Sequence, residues 1–469
     1  MEIKANVSQI ENSGADAPHV RGGVKVILGL GKTGLSCARY FSRLGVPFRV
    51  MDANAKPDLL VDLTKFVSLS GFSQFDDATL FSPSEVDELI VSPGIPLSNQ
   101  AIQRAIADGI GVNGDVNIFL ERAAAPVIGI TGSNGKSTVT ALLGEILQNS
   151  GLKVGVGGNI GTPCLDLLET ECDIYVLELS SYQLEVVQDA RCEIAAVLNL
   201  SPDHLDRYES DVDYYATKAK IYSSARIALR NSDLNFDFLF DQETEILTFS
   251  ANKPSEQKAY GIIEDGSSTY LCQGSRKIVG CDQILMQGRH NAQNALAAIA
   301  IAERLEVPTE VIVNTLSSFK GLPHRCEFVA KHEVTTFIND SKSTNPGSTI
   351  AAIHGLANSA SQLVVLLGGQ SKGADFTPLK AAILTTKSKV LLYGQDAEIL
   401  EKSLAGCLTT RVSTLVEALE IAISPKFLLD VDAEGIVILF SPACASFDQF
   451  RNFEERGETF RALVQGVTA

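Results

Sequence analysis

Alternating apolar runs and helix-like segments predict an α/β protein, and three observations divide it into three domains. A glycine-rich turn follows an apolar strand early in the chain, at 29–34. A second such turn follows another strand at 132–137, and the strand and helix rhythm begins again after Pro323. The 469 residues, 45% of them hydrophobic, are also too many for one ordinary domain. We predict a loose N-terminal extension at 1–21 and domains at 22–114, 115–321 and 322–469.

The composition limits the class of protein. The formal net charge of −17 disfavours nonspecific nucleic-acid binding, although a few local Lys and Arg residues can still hold an anionic substrate. We find neither an apolar run of about 18 residues, as a membrane span needs, nor the pattern of a leader peptide. The 9 scattered cysteines favour reduced thiols in a cytoplasm and argue against a zinc site. We therefore expect a cytoplasmic, monomeric protein that neither binds nucleic acid nor inserts into a membrane.

The first domain is predicted to be Rossmann-like. Strand Val24–Leu28 leads into the turn 29–34 (Gly-Leu-Gly-Lys-Thr-Gly), a helix, and a second strand that ends at Asp52. The glycines let a pyrophosphate approach the helix N-terminus, and a carboxylate at this spacing can bond a ribose hydroxyl. A NAD site is one interpretation, but the same physics serves any nucleoside diphosphate. The turn 92–94 (Ser-Pro-Gly) follows a third strand, at the edge where such sheets bind ligands.

The central domain is predicted to be a P-loop ATPase domain. An apolar strand runs into the turn 132–137 (Gly-Ser-Asn-Gly-Lys-Ser), which opens a helix. Backbone N–H groups and the positive end of the helix dipole then point at one spot, where phosphate oxygens bind. Lys136 adds a charge for the β- and γ-phosphates and Ser137 a hydroxyl for Mg²⁺, so ATP is the expected ligand. The general pattern places glycine where Ile130 stands, and this chain instead uses Gly132 for the tight turn.

Further polar residues follow the strands of the central domain. One strand ends at Glu178, from which a carboxylate can reach the magnesium ion of a bound nucleotide, although a buried capping carboxylate is the alternative. His204 follows the next strand between two aspartates, and a histidine taken alone is more often structural. A predicted helix then presents Lys218 and Lys220, which an ordinary solvated face would also explain.

The C-terminal domain is predicted to be Rossmann-like as well. Short strands and turns fill about 225–285, and a helix is predicted over Ala292–Leu305. Gly321 and Pro323 then mark a boundary. Apolar strands are predicted beyond it at Thr335–Ile338, Leu363–Leu367, Val390–Tyr393 and Ile436–Phe440.

Seven motifs in order along the chain resemble the Mur ligase family. They are Gly-Ser-Asn-Gly-Lys-Ser (132–137), Glu-Leu-Ser-Ser-Tyr-Gln-Leu (178–184), Asp-His-Leu-Asp-Arg-Tyr (203–208), Lys-Ala-Lys-Ile-Tyr (218–222), Gly-Leu-Pro-His-Arg (321–325), Asn-Asp-Ser-Lys-Ser-Thr-Asn (339–345) and Ser-Pro-Ala-Cys-Ala-Ser-Phe-Asp (441–448). The similarity spans roughly residues 22–465. The turn at 29–34 and the absence of a long extra N-terminal domain look most like the members that join D-glutamate to UDP-N-acetylmuramoyl-L-alanine.

The resemblance implies an ATP-dependent amide ligase. The substrate carboxylate would attack the γ-phosphate of ATP to form an acyl phosphate, and the amine of D-glutamate would displace phosphate through a tetrahedral intermediate. Positioning and charge neutralisation would carry the catalysis, because no side chain need act as a nucleophile. The alternatives are another Mur-type or folylpolyglutamate-synthetase-like ligase, a NAD-dependent oxidoreductase, and a noncatalytic nucleotide-gated binding protein.

The resemblance also assigns residues to each ligand. ATP is expected at Gly132, Ser133, Asn134, Gly135, Lys136, Ser137, Thr138, Asn291, Arg325 and Asp340. The UDP-substrate is expected at Gly31, Thr33, Asp52, Ser92, Pro93, Gly94 and Asn159, with the uracil contacts left open by Ala53. D-Glutamate is expected at Lys342, Thr344, Lys372, Ser446 and Phe447. Two Mg²⁺ ions are expected at Ser137, Glu178, His204 and Lys218, where Lys218 would be a carbamate, and the catalytic residues would be Lys136, His204 and Lys218.

Overall fold

The computed structural model describes residues 23–68, 71–203, 207–266, 268–286, 288–357, 361–424, 427 and 435–468. The predicted N-terminal extension and His204 lie outside these residues. The chain divides into two compact units. The first consists of Met1–Ser250, Lys258–Tyr260 and Ala297–Ile312, and the second of Ala251–Gln257, Gly261–Leu296 and Val313–Ala469.

The first sheet of the first unit has the parallel strands and covering helices of a Rossmann-like domain. Its five strands are ordered β3-β2-β1-β4-β5 and every neighbouring pair is parallel. The strands are β1 (Val24–Leu28), β2 (Phe48–Asp52), β3 (Phe72–Gln74), β4 (Val86–Val91) and β5 (Gly111–Asn113), and the helices are α1 (Lys32–Leu44), α2 (Leu60–Leu63) and α3 (Gln100–Ala107). A Cβ on Gly34 would lie 1.9 Å from the Gly29 carbonyl oxygen. The last glycine of the 29–34 turn therefore lets α1 pack directly against the end of β1.

The second sheet of this unit carries the P-loop. The six strands of this sheet that lie in the first unit run in the order β11-β10-β9-β6-β8-β7 and pair in parallel. They are β6 (Val127–Thr131), β7 (Val154–Gly158), β8 (Ile174–Glu178), β9 (Ile194–Val197), β10 (Ile227–Asn231) and β11 (Glu245–Phe249). The helices are α4 (Asp115–Arg122), α5 (Lys136–Asn149), α6 (Cys164–Leu167), α7 (Ser181–Glu185) and α8 (Asp211–Ala219), with a 3₁₀ turn at Lys220–Tyr222. Strands β6, β8 and β9 are buried along their length, as expected for a sheet covered on both faces.

The segment that follows matches the predicted short strands and turns. It contains β12 (Tyr260–Asp265), β13 (Ser268–Gln273), β14 (Arg276–Gly280), a 3₁₀ turn at Cys281–Gln283, α9 (Arg289–Arg304) and α10 (Thr309–Ser318). Strands β13 and β14 form an antiparallel hairpin. The helix predicted from Ala292 begins three residues earlier, at Arg289.

A third sheet, in the second unit, confirms the predicted α/β rhythm after Pro323. Its order is β15-β16-β20-β17-β18-β19, parallel except for the β15 and β16 pair. The strands are β15 (Glu327–His332), β16 (Thr335–Asn339), β17 (Gln362–Gly368), β18 (Lys389–Tyr393), β19 (Leu408–Arg411) and β20 (Ile436–Phe440). The helices are α11 (Pro346–Leu356), α12 (Thr377–Thr386), α13 (Ala397–Ser403), α14 (Leu415–Ala422) and α15 (Phe453–Thr468). Within the described part of the chain, no helix has the length and apolar character needed to cross a membrane.

Candidate active site

The P-loop connects β6 to the N-terminus of α5. Gly132 adopts a φ of 151°, and a Cβ there would lie 3.1 Å from the Leu198 Cβ. Glycine is therefore required at the tight turn. The first turn of α5 carries no acidic side chain, so the protein itself does not neutralise the positive helix end there. This end of the helix suits a phosphate group.

A neighbouring loop, which the sequence did not single out, braces the P-loop. Asn199 accepts a hydrogen bond from the Asn134 N–H at 2.7 Å and donates to the Asn134 carbonyl at 2.9 Å. Ser133 Oγ donates to the Ser201 carbonyl and accepts from the Ser201 N–H, each at 3.0 Å. These contacts fix the loop conformation before any ligand binds. The available signal was that Asn199 and Ser201 follow β9 at the same sheet edge as the P-loop.

Lys136 folds back over its own loop. Its ammonium donates to the carbonyls of Gly132 at 2.9 Å and Ser133 at 3.0 Å. The ammonium is thus held above the turn where the β- and γ-phosphates of a nucleotide are expected. Ser137 is 2% exposed and lies one residue further along α5.

Glu178 ends β8 beside the P-loop strand, because it is in register with Ile130 of β6. Its side chain is buried, and Oε1 accepts a hydrogen bond from Asn159 Nδ2 at 2.7 Å. Within the described residues, Oε2 is buried without a hydrogen-bond partner. A buried carboxylate oxygen without a partner is costly, and a divalent cation would satisfy it. The metal role of Glu178 stays a prediction, and this oxygen is where a cation would bind.

Lys218 and Lys220 have different surroundings. Lys218 is 1% exposed, and its Nζ donates to the Gly132 carbonyl at 2.9 Å. Burial, and then the nearby Lys136 charge, lower the pKa of Lys218 to about 6. Lys220 instead donates to the Glu185 carbonyl at 2.8 Å, at the end of α7. Of the two lysines, Lys218 is therefore the one next to the P-loop.

Three of the four predicted metal ligands lie within the described residues. Ser137, Glu178 and Lys218 all belong to elements next to the P-loop, whereas His204 lies outside the described residues. No group of three or more His, Cys, Asp or Glu side chains able to hold a metal occurs in the described chain. The described carboxylates next to the P-loop do not by themselves form a metal cage, and phosphate oxygens of a bound nucleotide could complete the coordination of an ion.

A cavity of about 430 Å³ lies between the 29–34 turn and the strand ends of the second sheet. Its lining contains every residue predicted for the UDP-substrate: Gly31, Thr33, Asp52, Ser92, Pro93, Gly94 and Asn159. It also contains Gly29, Lys32, Ile95, Gly158, Gly161, Pro163 and Gln183, which were not predicted as site residues. The residues predicted for the UDP-substrate therefore line one cavity, and the sequence did not predict the part of its wall formed by residues after β7 and on α7.

Asp52 stabilises the pocket wall in this structure. Its carboxylate accepts the Leu30 N–H at 2.6 Å and the Asn54 N–H at 2.8 Å. These bonds hold the glycine turn and the end of β2 together. A contact between Asp52 and the substrate stays a prediction.

The residues predicted for D-glutamate come from one edge of the third sheet. Lys342 and Thr344 follow β16, Lys372 follows β17, and Ser446 and Phe447 follow β20, which lies between those two strands. The Lys342 Nζ lies 3.7 Å from the centre of the Phe453 ring, and the Lys372 Nζ lies 4.8 Å from the centre of the Phe447 ring. Two cations at a carboxyl edge suit an amino acid with two carboxylates.

Asp340 organises this edge. It is 5% exposed, and its carboxylate accepts Ser343 Oγ at 2.5 Å, Ser441 Oγ at 2.7 Å and the Cys326 N–H at 3.0 Å. Burial raises the pKa of Asp340. The contacts support a structural role, while its predicted contact with ribose stays a prediction. Asn291, near the start of α9, and Arg325, just before β15, stay predicted nucleotide contacts in the same way.

Arg456 is a second organising residue, and the sequence did not reveal it. Its fully buried guanidinium donates to Ser341 Oγ at 3.0 Å, to the Ser341 carbonyl at 2.8 Å and to the Cys444 carbonyl at 3.0 Å. It therefore joins the loops after β16 and β20. Arg456 lies on α15, which was not among the predicted elements, so no signal pointed to it.

The three sheets coincide with three families of known domains. Residues 24–114 match "Mur ligase MurD-like, N-terminal domain", residues 130–302 match "Mur ligase middle domain", and residues 324–444 match "Mur ligase, glutamate ligase domain". Among solved structures, UDP-N-acetylmuramate-alanine ligase from Thermotoga maritima superposes with a TM-score of 0.55 at 18% identity, covering 95% of this chain and 99% of that one. That likeness shows a shared fold.

Three similar curated proteins carry the name UDP-N-acetylmuramoylalanine--D-glutamate ligase. The Hahella chejuensis protein is 41% identical over 94% of this chain and 98% of its own length. The Haemophilus ducreyi protein is 42% identical over 95% and 98%, and the Pseudomonas aeruginosa protein 39% identical over 94% and 97%. Identity of this extent, together with the three matched domains and the P-loop geometry, places the chain in the Mur ligase family.

Proposed function

We propose that this protein is an ATP-dependent ligase that joins D-glutamate to UDP-N-acetylmuramoyl-L-alanine during peptidoglycan precursor synthesis. The full-length relatives carry this name. The carrying observation is the position of Asn159, which lines the cavity and also donates to the buried Glu178 beside the P-loop. A substrate in the cavity can thus direct its free carboxylate toward the γ-phosphate of ATP.

The free carboxylate of the substrate must be held close to the γ-phosphate of ATP, in an orientation that allows attack. Asn159 is fixed twice, because its side chain donates to Glu178 Oε1 at 2.7 Å and its N–H donates to the Glu178 carbonyl at 2.8 Å. A residue held in this way can orient the end of a substrate against a neighbouring site. One hydrogen bond, from Asn159 to Glu178, therefore connects the cavity wall to the carboxylate that is proposed to bind metal.

The chain's own residues have distinct roles in this proposal. Lys136 neutralises the transferring phosphoryl group, and the N–H groups of the P-loop hold the phosphates. Mg²⁺ bound at Ser137, Glu178, His204 and a carbamate on Lys218 would supply charge neutralisation for the crowded anions. The unpartnered Glu178 Oε2 supports this site. The third-sheet residues Lys342, Thr344, Lys372, Ser446 and Phe447 bind D-glutamate.

The remaining expectations belong to the same proposal. The protein acts in the cytoplasm as a monomer, with ATP, UDP-N-acetylmuramoyl-L-alanine and D-glutamate as its small-molecule partners. The domains extend over 22–114, 115–321 and 322–469. Other Mur-type ligases are the nearest rivals, and the residues at the carboxyl edge of the third sheet distinguish them because they select the incoming amine.

The cavity at the 29–34 turn is predicted to bind the uridine diphosphate of the substrate and no nicotinamide dinucleotide. The reason is that Asn159, just after β7, and Gln183 of α7 form part of its wall, and Asn159 also donates to Glu178 beside the P-loop strand. In calorimetric titrations of the intact protein we expect binding of UDP-N-acetylmuramoyl-L-alanine and none of NADH. Tight NADH binding that the UDP-substrate does not displace would favour the oxidoreductase alternative instead.

A further inference from the structure

We propose that Arg207 is a positioning residue that fixes the rim of the substrate cavity to the helix after Glu178. The inference rests on the proposed function. Arg207 belongs to the 203–208 motif, but neither ATP nor metal binding gives it a role. Its side chain is 10% exposed, so it is not an ordinary surface arginine.

The guanidinium contacts three groups at once. It forms a two-pronged ion pair with Glu185, from Nε to Oε1 at 3.0 Å and from Nη2 to Oε2 at 2.6 Å. It lies over the Tyr182 ring, 4.4 Å from the ring centre. Nη2 also donates to the Ile95 carbonyl at 3.1 Å. Arginine suits this arrangement because a planar fork can pair with a carboxylate, stack on a ring and still donate once more.

Of the residues that Arg207 contacts, Ile95 lines the cavity. It lines the cavity wall together with Ser92, Pro93 and Gly94. Its N–H donates to the Ser92 carbonyl at 2.9 Å, and Ser92 Oγ donates to the Gly29 carbonyl at 3.0 Å. A shift of the Ile95 carbonyl would therefore be transmitted to the glycine turn that receives the diphosphate.

The other two contacts belong to α7. This helix starts three residues after Glu178, and its Gln183 lines the same cavity. Lys220 donates to the Glu185 carbonyl at 2.8 Å at the opposite end of the helix from Ser181. Arg207 thus joins two walls of the cavity, one from each sheet of the first unit.

If Arg207 positions the cavity wall, its loss should change the KM for the UDP-substrate but not the KM for ATP. Loss of hydrogen bonds to a charged group commonly weakens a contact enough to change an equilibrium by about tenfold or more. We expect Arg207→Ala to raise the KM for UDP-N-acetylmuramoyl-L-alanine by about tenfold and to leave the KM for ATP unchanged within about twofold. The KM of Arg207→Lys for UDP-N-acetylmuramoyl-L-alanine should lie between those of the wild type and Arg207→Ala, because an ammonium cannot make the paired contacts to Glu185 and still reach Ile95.

The control is a second arginine and glutamate pair in the same unit. Arg226 donates from Nε to Glu193 Oε1 at 2.6 Å, and neither residue lines the cavity. Arg226→Ala should therefore leave both KM values unchanged, although it also breaks an ion pair. If Arg207→Ala does not fold, as judged by circular dichroism melting, Glu185→Gln tests the same contact with a side chain of similar size.

Wild-type turnover, measured first, separates the two claims. No turnover of the wild type with ATP, the UDP-substrate and D-glutamate would overturn the proposed function. Normal wild-type turnover with an unchanged UDP-substrate KM in Arg207→Lys and Glu185→Gln would overturn the positioning role alone. A rise in this KM in both variants, absent from Arg226→Ala, supports it.

Discussion

Replacing Lys136 with alanine is expected to lower the rate of acyl-phosphate formation by about 10²–10³-fold, the usual cost of losing one oriented charge-stabilising donor. The fold should survive, because the Lys136 ammonium donates hydrogen bonds to carbonyls of its own loop, those of Gly132 and Ser133. Trapping the acyl phosphate with hydroxylamine measures the loss, and circular dichroism checks the fold.

The matched control for this experiment is Lys153→Ala. Lys153 is an exposed lysine just before β7 in the same unit. Its removal should leave acyl-phosphate formation unchanged. Equal rates in Lys136→Ala and the wild type would contradict the assignment of the P-loop as the ATP site.

Lys218→Ala is expected to lose most of the activity, because the proposed carbamate would provide an oxygen ligand for magnesium that the alanine side chain cannot provide. The Lys218 Nζ lies 2.9 Å from the Gly132 carbonyl oxygen, in the loop that is proposed to receive the phosphates. A small carboxylate such as acetate should restore part of the activity by filling the vacant space. Carbon-13 NMR with labelled bicarbonate should show a carbamate signal in the wild type.

Formation of the carbamate on Lys218 should depend on pH, because protonation of the amine prevents it. Only the neutral amine attacks CO₂, and burial lowers the pKa of Lys218 to about 6. The carbamate signal should therefore be present at neutral pH and fall as the pH drops below about 6. Lys220→Ala is the control: it keeps Lys218, so its carbamate signal should match that of the wild type, and acetate should not raise its activity. Full activity in rigorously CO₂-free buffer would refute the carbamate.

The parts of the site that the sequence predicted are those encoded by neighbouring residues. The 29–34 turn and the P-loop each have their glycines, helix start and polar side chain within a few positions, so the chemistry can be read from one short segment. Likewise, Glu178 was predictable as the last residue of an apolar strand. The seven predicted UDP-substrate residues line one cavity because the carboxyl ends of parallel strands meet at one edge.

The parts that the sequence did not predict depend on contacts between distant segments. Arg456 reaches Ser341 across 115 positions, and Arg207 reaches Ile95 across 112. Arg207 stands in the 203–208 motif, but the motif does not reveal which distant groups the guanidinium contacts, and nothing local distinguishes Arg456 from an arginine on a solvated helix face. Asn199 is a further example, since its bonds to Asn134 exist only once β6 and β9 pair in the second sheet.

The most direct test of the proposed function is phosphate release by the purified protein with ATP, UDP-N-acetylmuramoyl-L-alanine and D-glutamate, each omitted in turn. We expect sustained release only when all three are present together with Mg²⁺, and a product whose mass equals the UDP-substrate plus one glutamyl residue. L-Alanine or a diamino acid in place of D-glutamate should give none. Sustained release without D-glutamate, or equal release with another amino acid, would contradict the assignment of this protein as a D-glutamate ligase.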